Sequence, residues 1–346
     1  MIWLTWRQFR PQAWAALAIL AVLGIAFAIT GPHLTSLYDS SGIPTCQAHG
    51  DCGAEVSNFL NGVKGTDAVL YFVSLGVLYL GPAIIGIFWG APLVTRELEA
   101  GTFRMTWNQS VTRTRWIAVK LGLIGLASMA AAGLFSLMTS WWASPINQAN
   151  ALNSTRNGSS SLNRLTPLLF GAGGIAPVGY AAFAFALGVT AGVLIRRTLP
   201  AMAITLAVFA AIQVVMPNWV RPHLIAPLHS ITALSTGAID EIGITNSQMT
   251  VGAAVNMPGA WILSNQDIDA AGHPFAGPPT QACMSQNASP LACNASIGKL
   301  HLRQLVTYQP DSRYWAFQWY ETAIFLAAAL VLAGFCIWWV RRRRLS

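Results

Sequence analysis

Apolar residues run almost without interruption through six stretches of this chain, at 13–30, 68–94, 116–143, 168–195, 198–216 and 319–340. A helix needs roughly 20 apolar residues to cross a hydrocarbon core about 30 Å thick, so the pattern predicts six membrane-spanning helices. The polar stretches between them divide the chain further. Over residues 1–12, Ile2, Trp3, Trp6 and Phe9 recur at helical spacing opposite Arg7, Gln8 and Arg10, which predicts an amphipathic helix on the membrane surface. Residues 13–216 hold the first five spans, and 319–346 hold the last span and a basic tail. Between these lies the long polar segment 217–318, where the short runs 249–255 and 260–263, set off by Gly, Pro and Asn, predict a small strand-containing cap.

Finer signals lie inside this frame. Gly81-Pro82 predicts a kink in the second span, because the proline ring removes a backbone hydrogen bond. Gly188 and Gly192 form a small-xxx-small pair that lets another backbone come close. Arg196-Arg197 leaves only a two-residue turn between the fourth and fifth spans, which must then be antiparallel neighbours. Residues 144–167, rich in Ser and Asn and without periodicity, read as a loop.

Composition agrees with the pattern. The chain is 54% hydrophobic and 9% charged, with a mean hydropathy of +0.50, whereas soluble domains carry about a quarter charged residues. The fold class is therefore an all-α membrane protein. With the N-terminus inside, the inner segments collect Arg7, Arg10, Arg96, Arg104, Arg113, Arg115, Lys120, Arg196, Arg197 and Arg341 to Arg344, most of the 20 Lys and Arg. That bias places both termini in the cytoplasm, the protein in the plasma membrane and the segment 217–318 outside. The net charge of +8 follows from the same bias and does not call for nucleic acid. Although Arg7 and Arg10 before the first stretch and Ala26-Phe27-Ala28 within it resemble a signal peptide, the stretch is expected to be retained. Cys46, Cys52, Cys283 and Cys293 fall in outer loops and Cys336 inside a span. Four outer thiols permit three pairings, of which close spacing favours Cys46 with Cys52 and Cys283 with Cys293.

The chain carries no GxxxxGK[ST], HExxH, GxSxG or Cys/His set with zinc spacing. His223 and His229 read as structural. Within the six stretches the ionisable side chains are Lys120, one turn from the cytoplasm, and Glu321, at the outer edge. Ion-coupled transporters need intramembrane charges to relay protons or ions, so any work this protein does is expected to draw on energy from elsewhere.

The polar insert 93–116 is the best place to receive it. Glu97 and Glu99 lie among arginines; Gly101 reads as a helix stop, Thr102 as the cap of a short helix near 101–110, and Phe103 and Trp107 as its shared apolar face. Ser110 and Thr112 read as caps of the next span.

The run Arg96-Glu97-Leu98-Glu99-Ala100-Gly101-Thr102-Phe103, with Trp107-Asn108-Gln109-Ser110, Thr112 to Trp116 and Lys120, resembles the loop between the second and third spans of type-2 ABC transporter permeases, particularly the actinobacterial ones. Tyr308-Gln309-Pro310, Arg313-Tyr314-Trp315, Phe317-Gln318-Trp319 and the arginine tail are similar to that group too. The resemblance implies an ABC exporter subunit. Glu97, Glu99, Gly101, Thr102, Phe103 and Trp107 would form a coupling helix docking on a separate ATPase, with residues 1–12 as the connecting helix beside it. Two ATPase copies would bind ATP and Mg, with no cofactor on this chain, and a second permease copy would complete a homodimer. The family's second and fifth spans face the dimer axis, which implies that Tyr71, Tyr79, Thr205, Phe209 and Gln213 line the path of a lipophilic or amphiphilic cargo. From another class, the long external segment also suits a membrane sensor with a ligand-binding outer domain.

Overall fold

The computed structural model of the chain describes residues 2–46, 52–99, 112–153, 163–234, 239–245, 248–253, 255, 257, 259–275, 277–284 and 289–342. It contains 6 helices long and apolar enough to cross a membrane, with the small sheets confined to the segment before the last of them.

Helix α1 (Ile2–Ser40) runs unbroken from the first polar turns into the first span. The boundary expected after residue 12 is therefore no break in the backbone. Its first turns are held in line by the bundle: Gln12 Nε2 donates to Phe88 O at 3.2 Å, and Phe9 meets Trp89 edge-on at 4.8 Å. Trp3 and Trp6 on the other side stay exposed, as residues of a headgroup layer do. After the Cys46–Cys52 disulfide comes α2 (Gly53–Gly62). Helix α3 (Thr66–Ile85) then passes through a π-helical turn (Gly86–Gly90) into α4 (Pro92–Glu99). The irregularity thus lies one turn beyond the expected Gly81-Pro82 kink; there Ala91 N–H donates to Gly86 O at 2.9 Å, skipping the normal partner.

Helix α5 (Arg113–Trp142) starts at the expected cap, the Thr112 side chain accepting from Arg115 N–H at 3.3 Å. The loop expected at 144–167 contains α6 (Ser144–Asn153). Of its few apolar positions, Ile146, Ala149 and Leu152 form a stripe spaced by three that packs over α2 and is hidden in the sequence among Asn and Ser. The fourth span, α7 (Ala176–Ile195), begins later than expected. Ahead of it the chain bends at Gly174 (φ +65), and Gln318 Oε1 accepts from Ile175 N–H at 3.0 Å and Ala176 N–H at 2.8 Å, capping the first turn. Arg196, in the left-handed conformation (φ 59), makes the tight turn to α8 (Thr198–Val215). A π turn (Met216–Val220) and a final turn (Arg221–Leu224) prolong α8 past the expected end.

Helix α7 is the centre of the bundle. Of its apolar window 78% is buried, against 6% for α1, so α7 is the core and α1 a peripheral strut. Its glycines explain how. A Cβ added at Gly188 would lie 2.2 Å from Gly86 O, one at Gly192 would lie 2.7 Å from Ala91 O, and one at Gly90 would lie 2.6 Å from Phe185 O. Gly86/Gly90 and Gly188/Gly192 therefore face each other with backbones in contact, the close approach that small residues permit where burial against lipid drives nothing.

In the cap, β1 (Leu228–Ala233), β5 (Arg303–Gln309) and β4 (Trp261–Ile268) form an antiparallel sheet in that order, and β2 (Ile239–Thr245) pairs with β3 (Gln248–Ala253). Met249, Val251, Ile297 and Leu302 make a small core with the Cys283–Cys293 disulfide and α9 (Pro290–Gly298). Strand β5 leads through one 3-10 turn (Asp311–Arg313) into α10 (Tyr314–Arg342), so the cap joins the last span without a flexible linker.

Candidate functional site

Both ends of the bundle carry a buried ion pair. At the end holding both termini, α4 stops at two glutamates with different partners. Glu97 Oε1 accepts from Lys120 Nζ at 2.5 Å and from Gln8 Nε2 at 3.0 Å, linking α4 to α5 and α1. Lys120 is buried, its ammonium 4.8 Å from the centre of the Trp116 ring. Glu99 is exposed and accepts from Thr198 N–H at 2.8 Å and Thr198 Oγ1 at 2.9 Å, capping the start of α8. Those hydrogen bonds hold its carboxyl below the usual range. One turn back, Thr95 Oγ1 and Thr198 Oγ1 are 2.7 Å apart.

The last turn of α4 is thus tied to three other helices. Beneath it Val94, Trp116, Ile117, Val193 and Val340 close an apolar cluster to which α5, α7 and α10 all contribute. The predicted helix near 101–110, with Gly101, Thr102, Phe103 and Trp107, lies outside the described residues. Gln8 and Thr198 are contacts that the sequence did not point to; a polar residue on each neighbouring helix end was the only signal.

At the opposite end, Arg221 Nε donates to Glu321 Oε2 at 2.8 Å and Arg221 Nη2 donates to Glu321 Oε1 at 3.0 Å. Tyr180 OH also donates to Glu321 Oε1. The Arg221 guanidinium lies 4.0 Å from the centre of the Phe170 ring. Arg221, Glu321 and Tyr180 are all at most 1% exposed. Glu321 lies at the outer end of its span, as expected, but is fully buried there, and one expectation changes: Arg221 belongs to the helix that continues the fifth span and not to the external segment. Each sits at the margin of an apolar stretch with opposite charge, a pairing signal that hydropathy alone discards.

The segments beside the pair are tied to the cap. Gln309 Nε2 donates to Ile225 O and Arg313 Nη1 to Ala226 O, each at 2.7 Å, and Asn163 Nδ2 donates to Ala260 O at 2.6 Å. Arg164 pairs with Asp311, Nε donating to Oδ1 at 2.6 Å, and this pairing raises the arginine's basicity further.

The residues implied for a path do not converge. Tyr71 lines a cavity of about 470 Å³ beneath the cap, together with Thr139 and Tyr314. Tyr79 OH lies 2.7 Å from both Pro167 O and Leu168 O, and donates to one or the other. Thr205 is fully buried, with its Oγ1 donating to Ala201 O at 2.7 Å, and Phe209 is 2% exposed in the cluster around Ala83 and Phe183. Gln213 is half-buried, its side-chain nitrogen without a partner among the described residues. The Cys46–Cys52 and Cys283–Cys293 bridges both form, and Cys336 is a buried free thiol.

The model of the family described as "ABC-2 membrane transporter related" matches residues 17–221. No curated protein and no solved structure matches the chain.

Proposed function

The chain belongs to the ABC-2 membrane transporter related family and is a multi-pass membrane component of an ABC-type transporter; from this premise we propose that it is the permease half of an exporter. A second copy would complete the translocation unit as a homodimer. A separate ATPase, present twice, would bind ATP and Mg and supply the work. The cargo is lipophilic or amphiphilic and leaves the cell, since the spans offer few charges to a polar solute.

The observation that carries this reading is the anchoring of α4. Glu97 and Glu99 bind its last turn to α1, α5 and α8 by side-chain contacts. An ATPase pressing on the adjoining 101–110 segment, through Gly101, Thr102, Phe103 and Trp107, would shift those helices as one body. Thr205 and Phe209 are sealed in the present conformation and would reach a path only when α3, α7 and α8 part, as rocking between two states requires. Burying them in one state and exposing them in the other is compatible with their role as path residues. Exposed apolar side chains on α8, among them Ile204, Val208 and Val215, supply the face for the second copy.

We place the termini in the cytoplasm. Both disulfides lie at the cap end, and such bonds persist in an oxidising exterior.

The test is co-purification of the tagged protein with an ATPase subunit, followed by ATP turnover in the complex. Gly101→Pro and Trp107→Ala should lose the ATPase, whereas Lys120→Met should keep it bound but uncouple turnover from cargo. A permease that transports unaided, or one whose 101–110 variants bind normally, overturns the reading. The direct junction of β5 to α10 favours one alternative, a sensor whose outer ligand moves the last span; ligand binding to the cap without any ATPase association would support it.

A further inference from the structure

The end of the bundle that carries the termini has an amphiphile-shaped recess, whose polar end shares Gln8 and Glu97 with the anchoring of α4 and whose apolar length the transport reading does not use. An apolar groove of about 610 Å³ runs between α1 and α3, with Ala16 and Ile19 on one wall and Leu80 and Ile84 on the other. A smaller pocket of about 220 Å³, of mixed lining and more polar than the groove, adjoins it, and Gln12 and Trp89 line both. The groove thus passes at the depth of the first turns of α1 into a chamber lined by Gln8, Arg96 and Glu97.

Two features say that something outside the chain fills it. Glycines of α3 are on the groove wall at Gly76 and Gly81, and a Cβ added at either would find no atom within 4 Å. Glycine in a helix costs about 1 kcal/mol against alanine, and at these two positions no packing within the chain requires it. In the polar chamber, Glu97 Oε2 is buried with no hydrogen-bond partner among the described residues, an arrangement that costs stability unless a donor arrives.

The charges select the occupant. Glu97 is neutralised by Lys120, which leaves the exposed Arg96 in the chamber, and Arg7 and Arg10 are exposed on the same turns of α1. The local excess is positive. An ammonium donor for Glu97 Oε2 would sit beside Lys120, whereas a hydroxyl would not be repelled. We propose that the recess binds one anionic phospholipid whose headgroup bears a free hydroxyl, as in phosphatidylglycerol or phosphatidylinositol. One acyl chain lies along Gly76 and Gly81, the phosphate accepts from Arg96, and the headgroup hydroxyl donates to Glu97 Oε2. Basic pockets between spans are suited to such headgroups, and a groove graded from apolar to polar along its length fits a lipid better than a second helix, which has no such gradient. The inference needs only that the six spans lie in a bilayer; it does not depend on ATP coupling.

The test uses the full chain in detergent and phosphatidylglycerol with a photoactivatable group on its acyl chain, the adducts being mapped to peptides. Adducts should concentrate on α1 and α3 around Ala16 and Gly81. Unlabelled phosphatidylglycerol and phosphatidylinositol, tested separately, should each compete well, phosphatidylserine less, and phosphatidylcholine about tenfold less, the ratio expected for one charge-assisted hydrogen bond. Arg96→Gln should weaken competition by all of these lipids, since each offers it a phosphate, while the preference that rests on the hydroxyl to Glu97 Oε2 remains, and Gly81→Leu should lower labelling while the protein still elutes as a single species. Labelling spread over all six spans, equal competition by every lipid, or serine matching glycerol would overturn the assignment. So would a disulfide between the two copies of an Ala16→Cys variant, which would place the second protomer in the groove.

Discussion

Arg221 and Glu321 are separated by 100 residues and meet in a two-pronged ion pair sealed from solvent by Phe170 and Tyr180. The contact clamps the end of the fifth span to the last span, directly under the cap. Taking two charges out of water is expensive, and their attraction repays the cost only when the geometry is complete. Either residue alone would therefore be a liability.

Removing one partner strands the other. Arg221→Met and Glu321→Leu should each destabilise the protein by about 3–5 kcal/mol, while the double variant should recover most of the loss. Thermal unfolding in detergent, run as a double-mutant cycle, reads the coupling directly. Additive losses would mean that the pair contributes through packing alone.

Helix contact at the glycines should be unforgiving. Gly188→Ala places a carbon 2.2 Å from Gly86 O and 2.9 Å from Ala91 N, both backbone atoms that cannot step aside. A loss of about 1–3 kcal/mol or failure to assemble is expected. Gly122→Ala, where nothing lies within 4 Å, should be neutral or stabilising, and expression yield with melting temperature separates the two.

Within the cap, burial pushes the Asp267 carboxyl up from 3.8 to about 6, partly opposed by a hydrogen bond from Val251 N–H. A raised pKa means that the folded state binds the proton more tightly than the unfolded chain. Its contribution to cap stability is then fully present below about 3.8 and is lost as pH rises through about 6. Backbone amides of β3 and β4 should exchange more slowly, after correction for intrinsic rates, at about pH 5 than at about pH 7.5, and Asp267→Asn should flatten the difference.

Orientation can be read from the thiols. In intact cells a membrane-impermeant maleimide should label Cys283 and Cys293 only after reduction, and an N-terminal tag should stay protected from external protease. Labelling without reductant would show the bridges open, and an accessible tag would invert the proposed topology.

Much of this architecture is local and therefore legible. Six apolar runs, the Thr112 cap, the two-residue turn at Arg196-Arg197 and the disulfide partners within short loops all depend on near neighbours, and the structure has each of them, with the fourth span starting later and the fifth ending later than its apolar run. The Gly188/Gly192 pair announced a close contact without naming its partner. Helix α6 was obscured because its buried stripe is three residues long in polar surroundings.

What the chain by itself determined was its solvent: long apolar runs must satisfy their backbone as helices in lipid, whatever they later touch. Which helix became the core, which carboxylate met which cation, and how Glu97 came to hold Lys120 and Gln8 at once were decided only by tertiary structure. Hydropathy sums single residues along the chain, whereas a buried charge is tolerated or ruinous according to what stands opposite it, and for Glu321 that partner is a hundred residues away.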